Sequence, residues 1–177
     1  MSYFMVDVET DGPIPGDYSM IQVGVVLVRE PLETAPRFFG QLRPLPSSLW
    51  MPEALKVTGL TREQTLQFDD PTTVMLALAE FVANNNVGKQ AMFISDNNGF
   101  DYMFLTWYLY HCLGRSPFGH SSTNLGSLYK GLIKDTFKNF KHLRKTKHTH
   151  NPVDDAVGNA EAMVHMKETM GLHISLE

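Results

Sequence analysis

Two acids one residue apart, Asp7 and Glu9, close a run of apolar and β-branched residues that begins at Tyr3. Side chains alternate along a strand, so residues two apart point to one face and these carboxylates converge. Adjacent anions repel unless a cation offsets them, and oxygen donors suit a hard divalent cation, so the pair suggests a metal site. Taken alone, a D-x-E pair is better read as two exposed acids flanking a core valine. Asp101, in Asn97-Asn98-Gly99-Phe100-Asp101, has a structural explanation of its own, because an acid in a helix's first turn complements the dipole. The same holds for Asp154 and Asp155, and His150 alone reads as an exposed loop histidine.

The elements that position these residues follow from composition and punctuation. Residues 3 to 8, 20 to 28 and 37 to 42 are β-rich runs separated by Asp11-Gly12-Pro13-Ile14-Pro15-Gly16 and by the Pro31 to Pro36 break, which predicts a three-stranded meander. A short helix over Glu53 to Val57 precedes Thr58-Gly59, and Thr61 with Gln64 resembles a capping box. Pro71 opens a longer helix that ends at Asn84-Asn85-Asn86, with apolar positions Val74, Leu76, Leu78, Phe81 and Val82. Ala91 to Ser95 reads as a buried strand, Phe100 to Leu113 as an aromatic helix, and residues 123 to 140 are expected to contain another helix. Pro152 starts the last one, which runs to about Met170. Strands first and helices later, with a further strand between, predict an α/β domain with a mixed central sheet, antiparallel first and parallel afterwards, flanked by helices.

None of the acidic motifs persuades alone, but their order does. With D-x-E on the first strand, N-x-x-F-D after a later strand and H-x-x-x-x-D opening the last helix, the chain resembles the DEDD exonuclease superfamily. The match is to its histidine-bearing DEDDh branch, which includes DnaQ-like proofreading subunits, ribonuclease T and exonuclease X. Asn151 stands where the tyrosine branch carries its tyrosine, and Pro52 to Thr61 looks like the family's loop before the third motif-bearing region. Asp96, where relatives often have histidine, and Pro152, in place of a common alanine, depart from the pattern without removing a ligand.

The resemblance implies a ribonuclease H-like exonuclease fold and 3'-to-5' hydrolysis of phosphodiesters with two divalent metal ions, Mg²⁺ or Mn²⁺. Asp7 would bridge the metals, Glu9 and Asp155 would serve chiefly the metal of the attacking water, and Asp101 the other through water. An imidazole titrates at about 6.5 and can take a proton at neutral pH, so His150 is the expected general base, with His148 as a solvent-facing neighbour. The backbone around Thr10 would read the terminal 3'-hydroxyl, and Thr58, Gly59 and Leu60 would wedge against the terminal bases. Asn97 belongs to the expected substrate contacts. Phe100 and Tyr102 could stack on bases, although core packing is the better reading for both.

Composition sets the remaining bounds. At 177 residues, 43% hydrophobic and 19% charged, the chain is expected to form one globular domain, residues 1 to 177. The net charge of −4 conceals an asymmetry: between residues 130 and 147 seven Lys or Arg face Asp135 alone, a local charge of +6 that leaves −10 elsewhere. Lys141, Arg144, Lys145 and Lys147 of this segment lead directly into His150 and are expected to hold the nucleic-acid backbone, the alternative being a solvated face. One cysteine, Cys112, excludes an intramolecular disulfide; with no signal peptide or membrane-length apolar stretch in view, a cytoplasmic protein is expected. Its partners would be nucleic-acid 3' ends, DNA slightly favoured over RNA and single-stranded or frayed, with no membrane; a homodimer stays open. An exoribonuclease or small-oligonucleotide hydrolase, a silent nucleic-acid-binding module and a subunit of a larger assembly are the competing readings.

Overall fold

The computed structural model describes residues 1–176. A five-stranded sheet runs in the order β3-β2-β1-β4-β5, with β1 Ser2–Thr10, β2 Met20–Leu27, β3 Arg37–Gln41, β4 Ala91–Ser95 and β5 Phe118–Asn124. The first three strands pair antiparallel, while β4 joins β1 and β5 joins β4 in parallel. The helices are α1 Pro52–Thr58, α2 Arg62–Thr65, α3 Pro71–Asn85, α4 Asn98–Leu113, α5 Leu125–Ile133 and α6 Pro152–Thr169. The meander and the later parallel strands are thus as the sequence pattern predicts.

The exception is β5, a strand that the sequence pattern does not predict; it runs directly into α5, the helix expected within residues 123 to 140. Its sequence, Phe-Gly-His-Ser-Ser-Thr-Asn, has little apolar or β-branched content, and it lies at the sheet edge with only Phe118 buried. An edge strand beside β4 is held by its ladder more than by its side chains, so period and propensity carry little sign of it.

The core lies in two layers because β1 is buried on both faces. Phe4, Val6 and Val8 pack against α3 and α4 with Leu78, Val82, Phe104, Leu105 and Tyr108. Met5 faces α5 and α6 with Val26, Ile94, Leu125, Ala160 and Met163. Each large side chain removed from water in this way contributes roughly 1.5–3 kcal/mol before entropy is counted. Met20 N–H donates to the Tyr108 hydroxyl at 3.0 Å, tying α4 to the start of β2.

Helix starts are set by local chemistry. Asp70 caps α3 by accepting from Thr72 N–H, and Thr61 and Gln64 form a reciprocal capping box on α2. Asn151 caps α6 by accepting from Val153 and Asp154 N–H, with Pro152 as the first helical residue.

Candidate active site

Residues 5, 7 and 9 of β1 share the face that looks toward α6. Met5 continues the core there, whereas Asp7 and Glu9 stand at the strand's C-terminal end, where the core gives out. The first turn of α6 reaches them because Gly24, paired with Asp7 across β1 and β2, has no side chain. A Cβ at Gly24 would lie 2.3 Å from the Pro152 carbonyl carbon and 2.5 Å from Val153 N, so any other residue would push the helix start off the sheet. Asp155 lies one turn into that helix and is 1% exposed. Carboxylate oxygens of Asp7, Glu9 and Asp155 consequently lie within 4.8 Å of one another.

Asp101 arrives from the other layer. It sits in the first turn of α4, directly after β4, and its Oδ1 accepts from Val8 N–H at 3.2 Å. Among the described residues no metal-capable triad that tight includes it, yet its charge is felt by both Asp7 and Glu9.

Burial holds the Asp7 carboxyl well above the usual carboxylate range, reinforced by Asp101, Glu9 and Asp155, with Arg144 pulling the other way. Burial pushes Glu9 up to about 8, with Asp155 and Asp101 adding to it. Asp101 rises to about 7, again chiefly through burial, while the Val8 N–H favours its charged form. Anions gathered with so little compensation favour a cation, and a donor set made only of carboxylate oxygens suits a hard one. The residues present therefore fit a divalent ion such as Mg²⁺ or Mn²⁺.

The loop entering α6 is pinned onto Asp155. Thr149 N–H donates to its Oδ1 at 3.2 Å and His150 N–H to its Oδ2 at 3.0 Å. His150 has φ 58, a left-handed conformation that costs a non-glycine residue energy and is held here by those bonds. Its Nδ1 lies 3.9 Å from Glu9 Oε1. The nearer imidazole to Asp155 is His148, whose Nδ1 is 2.8 Å from Asp155 Oδ1. The sequence reading treats His148 as a solvent-facing neighbour; its spacing of two from His150 is the signal that could have raised it.

Arg144 does not have the position expected of a phosphate contact. Its side chain is 6% exposed, its guanidinium bonds Asp96 and Asn159, and its Nη1 lies 4.0 Å from Asp155 Oδ1. It also stands over the Phe140 ring. Arg144 is a buried counter-charge to the acids, because the chain turns inward after the short 3₁₀ turn at Lys141–Leu143. Lys141, Lys145 and Lys147 remain exposed. Glu161 of α6 accepts from Lys145 and Thr146 N–H at 2.8 and 2.7 Å, strapping the loop while leaving the Lys145 side chain outside.

The other expected contacts line the same end of the sheet. Thr10 is nearly buried and its hydroxyl donates to the Gly12 carbonyl. Thr58 donates to the Leu55 carbonyl, and Gly59 ends α1 at φ 73. Leu60 borders a cleft of about 410 Å³ with Trp50, Lys56 and Arg62. Asn97 is exposed at the N-cap of α4 without a side-chain bond to the helix. Phe100 is half-buried against Phe104, and Tyr102 packs on Phe93 and donates to the Gly119 carbonyl, which supports the packing reading for both.

Two features escape the sequence reading. Asp11 is fully buried and ion-paired with Arg62 at 2.7 Å, and Arg62 lies over Trp50, so the end of β1 is tied to α2 and the cleft. Phe137, in the middle of the basic segment, is 98% exposed.

Comparison with known proteins places this geometry. No family model matches the chain. Cap18 of Escherichia coli, a 3'-5' DNA exonuclease, is 37% identical over 135 residues, covering 73% of this chain and 68% of that protein. Among solved structures, the nuclease domain of 3'hExo, a DEDDh family member bound to rAMP, superposes with a TM-score of 0.77 at 18% identity over 98% of this chain and 96% of that one. E. coli exonuclease I in complex with a dT13 oligonucleotide gives 0.72 at 16% identity over 96% of this chain and 41% of that one. The fold is therefore that of the ribonuclease H-like exonucleases. The chain belongs to the DEDDh 3'-5' exonuclease family, and the protein is a metal-dependent 3'-5' exonuclease acting on nucleic acid.

Proposed function

We propose that this exonuclease shortens single-stranded or frayed DNA from the 3' end, with Asp7, Glu9, Asp101 and Asp155 holding two divalent ions, Mg²⁺ or Mn²⁺, and His150 as the general base. The observation that carries the proposal is the approach of Asp7, Glu9 and Asp155 to within 4.8 Å, with His150 beside Glu9. DNA is favoured over RNA because the relative that is 37% identical is a DNA exonuclease. No helix among the described residues is long and apolar enough to cross a membrane. A cytoplasmic location and a single catalytic domain belong to the same proposal.

When bound, the metals lower the pKa of the attacking water and stabilise the leaving 3'-oxygen. The side chains do the rest. Asp7, which feels the charge of Asp101, Glu9 and Asp155 alike, would bridge, Glu9 and Asp155 would serve the side of the attacking water, and Asp101 the side of the leaving group. His150 accepts the water's proton at a ring nitrogen, and the bond from its own N–H to Asp155 keeps that ring at the mouth of the acidic floor. The backbone near Thr10 receives the terminal sugar, and Thr58, Gly59 and Leu60 close over the last bases. Lys141, Lys145 and Lys147 hold the strand behind the cut, with Asn97 as its nearer contact.

The test is a 5'-labelled single strand, duplex and RNA of one sequence, incubated with Mg²⁺ or Mn²⁺, beside Asp7→Ala and an EDTA control. A ladder that shortens from the 3' end on single-stranded DNA, lost in the variant and in EDTA, is the expected result. Faster shortening of RNA would transfer the proposal to an exoribonuclease, and activity that survives EDTA would overturn the metal centre.

A further inference from the structure

The acidic floor offers only oxygen, but the loop above it adds nitrogen. His148 and His150 pack edge to face with ring centroids 4.2 Å apart. One ligand atom each from His148, His150 and Asp155 fall within 4.8 Å of one another. The side chains of His148 and His150 are 44% and 41% exposed, whereas Asp155 is 1% exposed, so the triad has a rigid base and an open side. Its parts are held before any ligand arrives, since Asp155 accepts the N–H groups of Thr149 and His150, and Thr149 Oγ1 donates to Asp154 at 3.2 Å.

Two imidazoles and one carboxylate are a different donor set from the carboxylates below. Imidazole suits Zn²⁺, Co²⁺, Ni²⁺ and Cu²⁺, while Mg²⁺ and Mn²⁺ prefer oxygen. Ligands placed tetrahedrally at about 2.0 Å from zinc stand about 3.3 Å apart. At 2.8 Å His148 Nδ1 and Asp155 Oδ1 share a proton, so an ion entering here displaces that proton to solvent and widens the pair by about 0.5 Å to that spacing. We infer that His148, His150 and Asp155 form a second site, overlapping the acidic floor at Asp155, for a transition-metal ion of the zinc class, and that filling it stops hydrolysis. The inhibition rests on the proposed roles of His150 and Asp155, because the bound ion takes the base's ring and one acid out of the working set. The binding itself does not rest on that reading.

The experiment uses the whole chain in millimolar Mg²⁺, so that the oxygen sites are contested, and measures Zn²⁺ by competition with a chromophoric chelator and Co²⁺ by its visible absorption. The expected result is one Zn²⁺ per chain and the visible band of four-coordinate Co²⁺. His148→Asn and His148→Phe, each checked by its thermal melt, should weaken Zn²⁺ about tenfold or more, the scale on which metal sites lose affinity when their supporting groups change. Asp7→Asn should keep it. In the activity arm, the Zn²⁺ concentration that halves each protein's own Mg²⁺-supported rate should rise by a similar factor in the His148 variants. Wild-type Zn²⁺ affinity in both His148 variants, or its loss in Asp7→Asn, would assign the ion to the acidic floor and overturn the site. Zn²⁺ bound through His148 without inhibition would overturn the regulatory half. A protein inactive in Mg²⁺ and Mn²⁺ alike would defeat the catalytic reading and leave the binding arm fully decisive.

Discussion

Glu9→Gln should stabilise the metal-free protein, increasingly so as pH rises. Glu9 goes from its ordinary 4.5 in the unfolded chain to about 8 in the fold, because burial and the neighbouring Asp155 and Asp101 disfavour its charge. A group whose folded value is raised binds its proton more tightly in the native state, so the native state is favoured at low pH. That advantage is whole below about pH 4.5 and is lost as pH rises through about 8. At about 1.4 kcal/mol per pH unit, Glu9 alone lowers stability by about 3 to 4 kcal/mol between pH 5 and 8, an upper bound because the neighbouring acids share the protons. For a chain of this size 1 kcal/mol moves the melting temperature by roughly 2 to 4 °C, so the change is on the order of 10 °C. The assay is thermal or urea unfolding in EDTA across pH 5 to 8 for the wild type and Glu9→Gln. The wild type should lose stability with pH, the variant should lose much less, and millimolar Mg²⁺ should restore the wild type alone. Parallel curves in EDTA would refute the claim that Glu9 is held protonated by its surroundings.

Other consequences follow from the same geometry. His150→Ala should lower turnover by about 10²- to 10⁴-fold with little change in Mg²⁺ or oligonucleotide affinity, as read from single-turnover rates and calorimetry. Charge reversal at Lys145 and Lys147 should raise KM on long substrates and flatten the salt dependence by roughly one unit of slope per lost phosphate contact; an unchanged slope would leave these lysines as a solvated face. Arg144→Met should behave differently, destabilising the fold by about 3 to 5 kcal/mol by leaving buried acids without their counter-charge, which urea unfolding measures. Gly24→Ala should displace the start of α6 and weaken metal binding more than it lowers the melting temperature, because the clash falls on the backbone that carries Asp155.

Much of the site is readable in the sequence because each acid is tied to an element boundary that local chemistry marks. Strand alternation alone puts Asp7 and Glu9 on one face. Pro152 behind a capping Asn151 fixes where α6 starts, and hence that Asp155 lies one turn in, five residues from His150. The antiparallel start of the sheet is equally plain, since β1 and β2 are apolar runs with strong turn residues between them.

The tertiary structure decided what depends on approach between distant segments. Whether Arg144 meets solvent or turns inward depends on Asp96 and Asn159, 48 and 15 residues away, and no local pattern reports them. The pairing of Asp11 with Arg62 spans 51 residues and is equally silent in sequence. The edge strand β5 owes its form to the ladder that β4 offers it. His148 looks like loop polarity until Asp155 is seen 2.8 Å from its ring. Residue type and local period determined which groups could do chemistry and on which elements they ride. Long-range packing, through the bare face at Gly24 that lets α6 settle on the sheet, determined which of them meet.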